Sequence, residues 1–380
     1  MDEVAIIDGA RTPFGRALKG SFRQTRPEDM GAAAIKATLA NADLDANDIE
    51  DLAIGCAMPE GSQGLNVARS IGFLAGLPHT VPAYTVNRFC ASGLQTVASV
   101  ASRIAIGEMK VAIAGGVESM SAVPMGGFHP QLHPKLALDY PEAYIGMGNT
   151  AENVAKQFEV SRAEQDAFAV RSQARALAAR DAGRLAEEII PFETDLDGRT
   201  VTLEHDELIR PGTTVDGLAK LRPAFSATGS VTAGNSSPLT DGAAAVALCA
   251  KSELGGRTPL GYFRRFVTVG VAPEIMGIGP VPAIEKLLSD TGLSVAEIDL
   301  FEVNEAFASQ SVYCQKTLGI DDDKLNVNGG AIAIGHPLGV TGTRLVLTAL
   351  KELQRRNGRY AVVSMCIGGG MGAAALLERS

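Results

Sequence analysis

Tryptophan is absent from the 380 residues, and the aromatic share is only 5%. Glycine, by contrast, numbers 42. A chain so composed packs small side chains closely and bends its backbone often, as α/β enzymes do. Net basic charge is also lacking: 34 Lys and Arg face 43 Asp and Glu, a formal −9. Nucleic acid is therefore not an expected partner, because neutralising phosphates needs a net basic face. A small anionic ligand needs only a local basic cluster and stays open. The five cysteines, at 56, 90, 249, 314 and 366, are odd in number and include no Cys-x-x-Cys pair. That pattern points to free thiols in a reducing compartment. The longest apolar runs, such as 242–250, are far too short to span a bilayer. No secretory apolar segment follows Met1, and the final Glu378-Arg379-Ser380 is not a peroxisomal address. No membrane association is expected, and the expected location is cytoplasmic.

With 46% apolar side chains, a chain of this length can fill more than one core, and two or three domains are expected. The pattern predicts a strand over 4–8, a helix from Pro27 to about Asn41, and short buried strands over 52–55 and 83–86. A sharp turn at Asn87-Arg88-Phe89-Cys90 leads into a helix with Leu94, Val97, Ala101 and Ile104 on one stripe, ending at Gly107. The next strand, 111–114, is expected to close at Gly115-Gly116. The last third repeats the plan, with strands over 262–269, 299–303 and 325–327, a Gly-rich loop, a helix over 343–353 and a strand over 360–365. Matching landmarks predict an internal duplication. One half spans 1–118, completed by about 245–258, and the other spans 259–380. Residues 119–244 break this rhythm. Positions 121–146 are rich in Pro, Gly and His; Ser161 and Glu164 form a capping box for a helix ending at Gly183, with Phe168 and Leu177 inward; and 193–240 carries Arg210, Lys220 and Arg222. This insertion is expected to lie as a lid over the two halves.

Cys90 falls between a strand and the first turn of a helix, where backbone N–H groups and the helix dipole favour a thiolate. The alternative is a buried structural cysteine. His336, in Gly335-His336-Pro337-Leu338-Gly339, holds the matching point of the second unit, so twin packing would bring imidazole and sulfur together. Cys366 ends the last predicted strand, before Gly368-Gly369-Gly370-Met371-Gly372. A dinucleotide fingerprint would need a following helix, a strand and a more distant acidic residue, which the remaining residues do not supply. Such glycines instead expose N–H donors suited to an oxyanion, and a second thiol could move a proton at carbon. Asn304 could hold a water that donates to that oxyanion, or cap a helix. A metal is not expected. Pro130 and Pro134 prevent a helical pairing of His129 and His133, and no matching Cys or Glu cluster accompanies them.

Together these segments resemble the thiolase family over essentially the whole chain. The resemblance rests on Asn87-Arg88-Phe89-Cys90-Ala91-Ser92-Gly93, Asn304-Glu305-Ala306-Phe307-Ala308, Gly335-His336-Pro337-Leu338-Gly339 and Cys366-Ile367-Gly368-Gly369-Gly370-Met371-Gly372. Supporting stretches are Gly115-Gly116-Val117-Glu118-Ser119-Met120-Ser121, Thr150-Ala151-Glu152-Asn153-Val154-Ala155 and Thr232-Ala233-Gly234-Asn235-Ser236-Ser237. The resemblance implies an α/β fold of two duplicated halves in a five-layer αβαβα stack, with a loop domain at 119–244 for coenzyme A. It implies that Cys90 carries the acyl group as a thioester with His336 as its base, and that Cys366 exchanges the α-carbon proton. Asn304, through a water, and His336 would stabilise the thioester enolate, and the N–H groups of Cys90 and Gly368 would form a second oxyanion site. Arg210 matches the family's adenine-side arginine and Ser237 the residue that meets the pantetheine. Ala233, Phe225, Met147, Met276, Leu239 and Phe307 would line the channel, or be plain core.

The same resemblance implies ping-pong turnover among 3-ketoacyl-CoA, acetyl-CoA and free coenzyme A. Coenzyme A is then a substrate, no cofactor is permanently bound, and the assembly is a homodimer or homotetramer. Ile209-Arg210-Pro211-Gly212-Thr213-Thr214 and Ser237-Pro238-Leu239-Thr240-Asp241-Gly242 resemble degradative 3-ketoacyl-CoA thiolases. Gly146-Met147-Gly148 departs from the His-Met-Gly of acetoacetyl-CoA thiolases, and the resemblance implies that loss of this His would widen the acyl pocket. The run 366–372 also occurs in the short-chain type, so a biosynthetic acetoacetyl-CoA thiolase is the alternative. A condensing enzyme for carrier-protein substrates would lack Cys366. A non-enzymatic acyl-CoA-binding relative would be expected to lose Cys90, His336 or Cys366, and this chain has all three.

Overall fold

Short apolar strands alternating with amphipathic helices build two sheets of one plan. The computed structural model describes residues 2–380. The first sheet contains β1 (Val4–Arg11), β2 (Asp51–Gly55), β3 (Ala83–Val86), β4 (Val111–Ser119) and β5 (Thr240–Ala250), in the order β1-β5-β4-β2-β3. The second contains β6 (Gly261–Gly270), β7 (Leu300–Val303), β8 (Tyr360–Ile367) and β9 (Met371–Arg379), in the order β6-β9-β8-β7. In each half one neighbouring pair, β2 with β4 and β7 with β8, runs parallel. In each, the last strand returns antiparallel. The two join edge to edge where residues 4–6 pair with 261–263, making one continuous ten-stranded sheet that also takes in Gly15–Arg16, paired with β5.

The helices are α1 (Pro27–Asn41), α2 (Val67–Ala75), α3 (Ser92–Ala105), α4 (Met147–Gln157), α5 (Arg162–Asp181), α6 (Pro280–Thr291), α7 (Ala308–Leu318) and α8 (Thr341–Arg356). Strand residues alternate between two buried faces, as in any sheet covered on both sides. Ala112 and Ala114 of β4 join Leu94 and Val97 of α3, Leu345 and Leu350 of α8, and Val363 of β8 in a central core. Ile113 and Val117 of β4 face outward to Ile35 of α1 and Ile71 of α2. Val362 of β8 faces Ile284 and Leu287 of α6 and Val312 of α7. The layers are therefore α1/α2, first sheet, α3/α8, second sheet and α6/α7, the expected αβαβα stack.

Two local expectations are corrected. The strand β4 does not close at Gly115-Gly116 but runs through to Ser119. The glycines serve close approach, since a Cβ on Gly116 would lie 2.0 Å from the Gly339 carbonyl oxygen. The expected strand over 325–327 is a single bridge from Leu325 to Phe301. Asn326, at φ +45°, breaks the extension, and its side-chain amide replaces a ladder partner by bonding both N–H and C=O of Val303 at 2.8 Å. The capping box of Ser161 with Glu164 is present at the start of α5. Among the described residues, no helix is long and apolar enough to cross a membrane.

Candidate active site

β3 ends at Val86, and the chain turns at once toward α3. Asn87 Oδ1 accepts from the Phe89 N–H at 2.8 Å, while Ser92 Oγ accepts from Arg88 N–H at 2.9 Å and donates to the Phe89 carbonyl at 2.6 Å. These bonds hold Phe89 at φ +43°, a left-handed conformation that costs a bulky residue roughly 1–3 kcal/mol. The turn delivers Cys90 to the start of α3, 7% exposed. Its own N–H and that of Gly368 face the sulfur and favour the thiolate. Burial outweighs both and, with the Glu118 charge assisting, pushes the thiol up to about 11. The helix-start argument for a lowered pKa is thereby corrected, because a desolvated thiolate loses more than two amides return.

His336 is held on three sides. Its N–H donates to Thr240 Oγ1 at 3.0 Å, and its ring nitrogens meet Thr341 Oγ1 at 2.6 Å and Asn304 Nδ2 at 3.2 Å. The Thr341 hydroxyl spends its one proton on the Pro337 carbonyl at 3.0 Å, so it accepts from Nδ1–H. That assigns the neutral tautomer with a lone pair on Nε2, toward which the Asn304 amide donates. Burial first, and the Arg344 charge second, hold the imidazole down to about 3. Asn304 is no helix cap, since Phe307 occupies that position before α7. Its Oδ1 is buried without a protein hydrogen bond, an acceptor suited to a water.

Cys366 lies in β8 opposite Gly372 and is fully buried. Burial, then the neighbouring Cys90 and Cys314, raise its thiol well above the ordinary value. The two sulfurs, from opposite halves, thus share one electrostatic neighbourhood. Met147, Met276 and Phe307 pack with Cys366 in one apolar cluster. Phe225 meets Phe307 edge-on, with centroids 6.0 Å apart. A Cβ placed on Gly368 would lie 3.4 Å from Met147 Sδ. Ser237 donates its N–H to the Ala306 carbonyl at 3.0 Å, beside Asn304. Ala233 and Leu239 are exposed, so neither is plain core. Arg210 is exposed as well; its amide bonds Gln173 Oε1 at 2.8 Å, and none of its hydrogen bonds reaches the cysteines. A cleft of about 540 Å³ opens beside Phe225, lined also by Asn149, Glu152, Lys156 and Ser230.

Residues 4–252 match the family model described as Thiolase, N-terminal domain, and residues 257–379 match that described as Thiolase, C-terminal domain. The chain belongs to the thiolase family. It is thereby an acyltransferase. A Bacillus subtilis (strain 168) protein named 3-ketoacyl-CoA thiolase is 53% identical, with 100% of both chains covered. The Mus musculus protein named 3-ketoacyl-CoA thiolase B, peroxisomal, is 48% identical over 99% of this chain and 91% of its own. The crystal structure of the Bacillus anthracis acetyl-CoA acetyltransferase superposes with a TM-score of 0.93 at 35% identity, covering 100% of this chain and 99% of that one.

Around the motif residues of this thiolase stand others that sequence reasoning left without a role. Glu118 is buried and accepts from Ala57 N–H at 2.8 Å, Met58 N–H at 3.2 Å, Gln63 Nε2 at 3.0 Å and Gly339 N–H at 2.7 Å. One carboxylate thus ties the loop after β2 to the loop of His336. Its signal was a glutamate inside an otherwise apolar, glycine-rich strand. Thr341 and Thr240 carried none, because a threonine at an element's start is ordinary. His133 caps the short helix Pro134–Asp139 through Nδ1. Among the described residues, no group of three or more His, Cys, Asp or Glu could hold a metal ion.

Proposed function

We propose that the chain is a degradative 3-ketoacyl-CoA thiolase, cleaving its substrate with free coenzyme A through an acyl thioester on Cys90. The observation that carries this reading is that the turn after Cys366 packs against the turn of Cys90, a Cβ on Gly368 lying 3.9 Å from the Phe89 ring, with the Nε2 lone pair of His336 met by the Asn304 amide. In the resting site the thiol holds its proton and the imidazole stays neutral, so no preformed ion pair is needed. As Cys90 Sγ attacks the 3-keto carbon, His336 Nε2 takes the thiol proton. The C2–C3 bond then breaks, and its electron pair passes to the thioester enolate of the leaving acetyl-CoA. Cys366 donates a proton to C2, while a water on Asn304 Oδ1 and the His336 Nε2–H stabilise the enolate oxygen. In the second half-reaction, the thiol of free coenzyme A gives its proton to the Cys366 thiolate and attacks the acyl-Cys90 carbonyl, whose oxyanion is received by the N–H groups of Cys90 and Gly368; the carbon–sulfur bond to Cys90 then breaks, and His336 returns its proton to that sulfur.

Coenzyme A is a substrate in this scheme, and no resident cofactor is invoked. Arg210 and Ser237 would meet its adenine and pantetheine ends, with Ala233, Phe225, Met147, Met276, Leu239 and Phe307 along the channel. The degradative subtype is favoured by the relatives named 3-ketoacyl-CoA thiolase at 53% and 48% identity. A cytoplasmic homodimer or homotetramer completes the reading. The test is coenzyme A-dependent cleavage of 3-ketoacyl-CoAs of increasing length. Turnover on chains longer than acetoacetyl is expected. Activity confined to acetoacetyl-CoA would favour the biosynthetic alternative, and no cleavage at all would overturn the reading.

A further inference from the structure

Beneath the reacting groups lies a second tier made by the same two elements. β7 and the residue after it carry Glu302 and Asn304, two apart and so on one face of an extended chain. α8 carries Thr341 and Arg344, three apart and so neighbours on one helical face. The upper residues meet through the imidazole, as described above. The lower ones meet directly, with Arg344 Nη1 and Glu302 Oε2 3.6 Å apart and both side chains fully buried. Arg344 Nε, Nη1 and Nη2 and both Glu302 oxygens make no hydrogen bond to protein.

The other charges around this pair are engaged elsewhere. Glu188 accepts from Arg11 and Thr348, and Asp206 accepts from Arg11 and the Phe14 N–H. Glu305 takes Ser172, Asn326 and the Ile332 N–H, while Glu352 takes Asn328, Arg355 and Arg356. Of the groups in the tier above, Cys90 and Cys366 are neutral thiols, and Glu118 is committed to four N–H donors. Glu302 is pushed up to about 8 by burial, so at neutral pH its negative charge is incomplete. The Arg344 charge is therefore poorly cancelled one helical turn below the imidazole. A buried ion pair is commonly less stable than apolar side chains in its place.

We propose that Arg344, paired with Glu302 under the site, is a positioning residue for His336, its fixed charge adding to burial in opposing a second positive charge on the imidazole. In the resting site Nε2 then stays a lone pair, and Nδ1–H stays on Thr341. The inference rests on His336 acting as the base of the proposed reaction. Its test reads the imidazole itself, by pH titration of the full chain carrying ¹³C-labelled histidine, with the His336 signal assigned from His336→Asn. In the unaltered chain, no His336 titration is expected between about pH 5 and 8. Arg344→Gln should raise the midpoint by about one unit or more, a tenfold gain in proton affinity, whereas Arg344→Lys keeps the charge and should behave as the unaltered chain.

If Arg344→Gln does not fold, Glu302→Gln/Arg344→Gln replaces the pair by two amides and carries the same expectation. The acid limb of kcat/KM should follow the imidazole in every variant. His336 titrating near the ordinary imidazole value of about 6.5 in the unaltered chain would overturn the proposal. So would a midpoint unmoved in a folded glutamine variant. Because the titration needs no substrate, the expected imidazole response without any thiolysis would sustain the charge effect and count against the function instead.

Discussion

Cys90 and His336 show how far single residues depend on their surroundings. The sequence pattern puts a thiol at a helix start, which argues for a thiolate. The folded chain surrounds that thiol with apolar neighbours and a carboxylate, and burial wins. Of the five cysteines, Cys90 is 7% exposed and the rest 0–1%, so it should alkylate fastest. Its rate with iodoacetamide should go on climbing above about pH 9, because burial raises its pKa. Peptide mapping that finds equal labelling, or a plateau near neutrality, would contradict this. Cys366→Ala should still accept an acyl group on Cys90 from a saturated acyl-CoA. Its thiolysis should fall by roughly 10²–10⁴, the usual worth of a positioned acid or base; unimpaired thiolysis would remove Cys366 from the mechanism. The motif residues were legible because each sits at a punctuated strand end or helix start. Glu118 and Thr341 were not, because their partners lie far along the chain or in a loop geometry that no local pattern encodes. The sign of the Cys90 shift was illegible for the same reason: desolvation is a property of the packed molecule.

At the scale of elements, the twin helices α3 and α8 bring the halves together, and their starts touch. A Cβ on Gly342 would lie 2.2 Å from the Leu94 N, and one on Gly93 would lie 2.8 Å from the Gly339 carbonyl oxygen. These are backbone contacts that cannot yield by rotating a side chain. Gly342→Ala should therefore cost roughly 1–3 kcal/mol of stability, the range for overpacking, and lower kcat by separating Cys90 from the His336 loop. Urea unfolding and steady-state assay check both; a variant with unchanged midpoint and rate would show that the helices meet otherwise. The apolar stripes of α1, α3 and α8 and the strands between them were plain in the sequence, since period and punctuation agree. Leu325–Asn326 misled because an asparagine side chain can stand in for a strand's backbone. Gly115-Gly116 misled because glycine marks close approach as readily as a turn.

Across the whole molecule, five layers of duplicated plan bury several ionisable groups whose titration shapes stability. Burial raises Asp241 to about 6 and Glu302 to about 8. A raised acid contributes stability that is full below its unfolded value and lost as pH climbs through the folded one. His336, held down to about 3, acts at the other end, its contribution being lost as pH falls below about 6.5. Glu302→Gln should therefore narrow the gap between urea midpoints measured at about pH 5.5 and pH 8. An equal gap in the variant would show that Glu302 does not titrate in that window. Duplication itself was legible from matching landmarks, whereas the edge-to-edge joining of the sheets at residues 4–6 and 261–263 had no signature. All of this architecture serves one chemical event, acyl transfer to a sulfur. The most direct measurement mixes the enzyme with a 3-ketoacyl-CoA in the absence of free coenzyme A, quenches in acid and weighs the Cys90 peptide. The account predicts an acyl group two carbons shorter than the substrate's chain, bound to Cys90 and released on adding coenzyme A; an unmodified Cys90, or the adduct on Cys366, would contradict it.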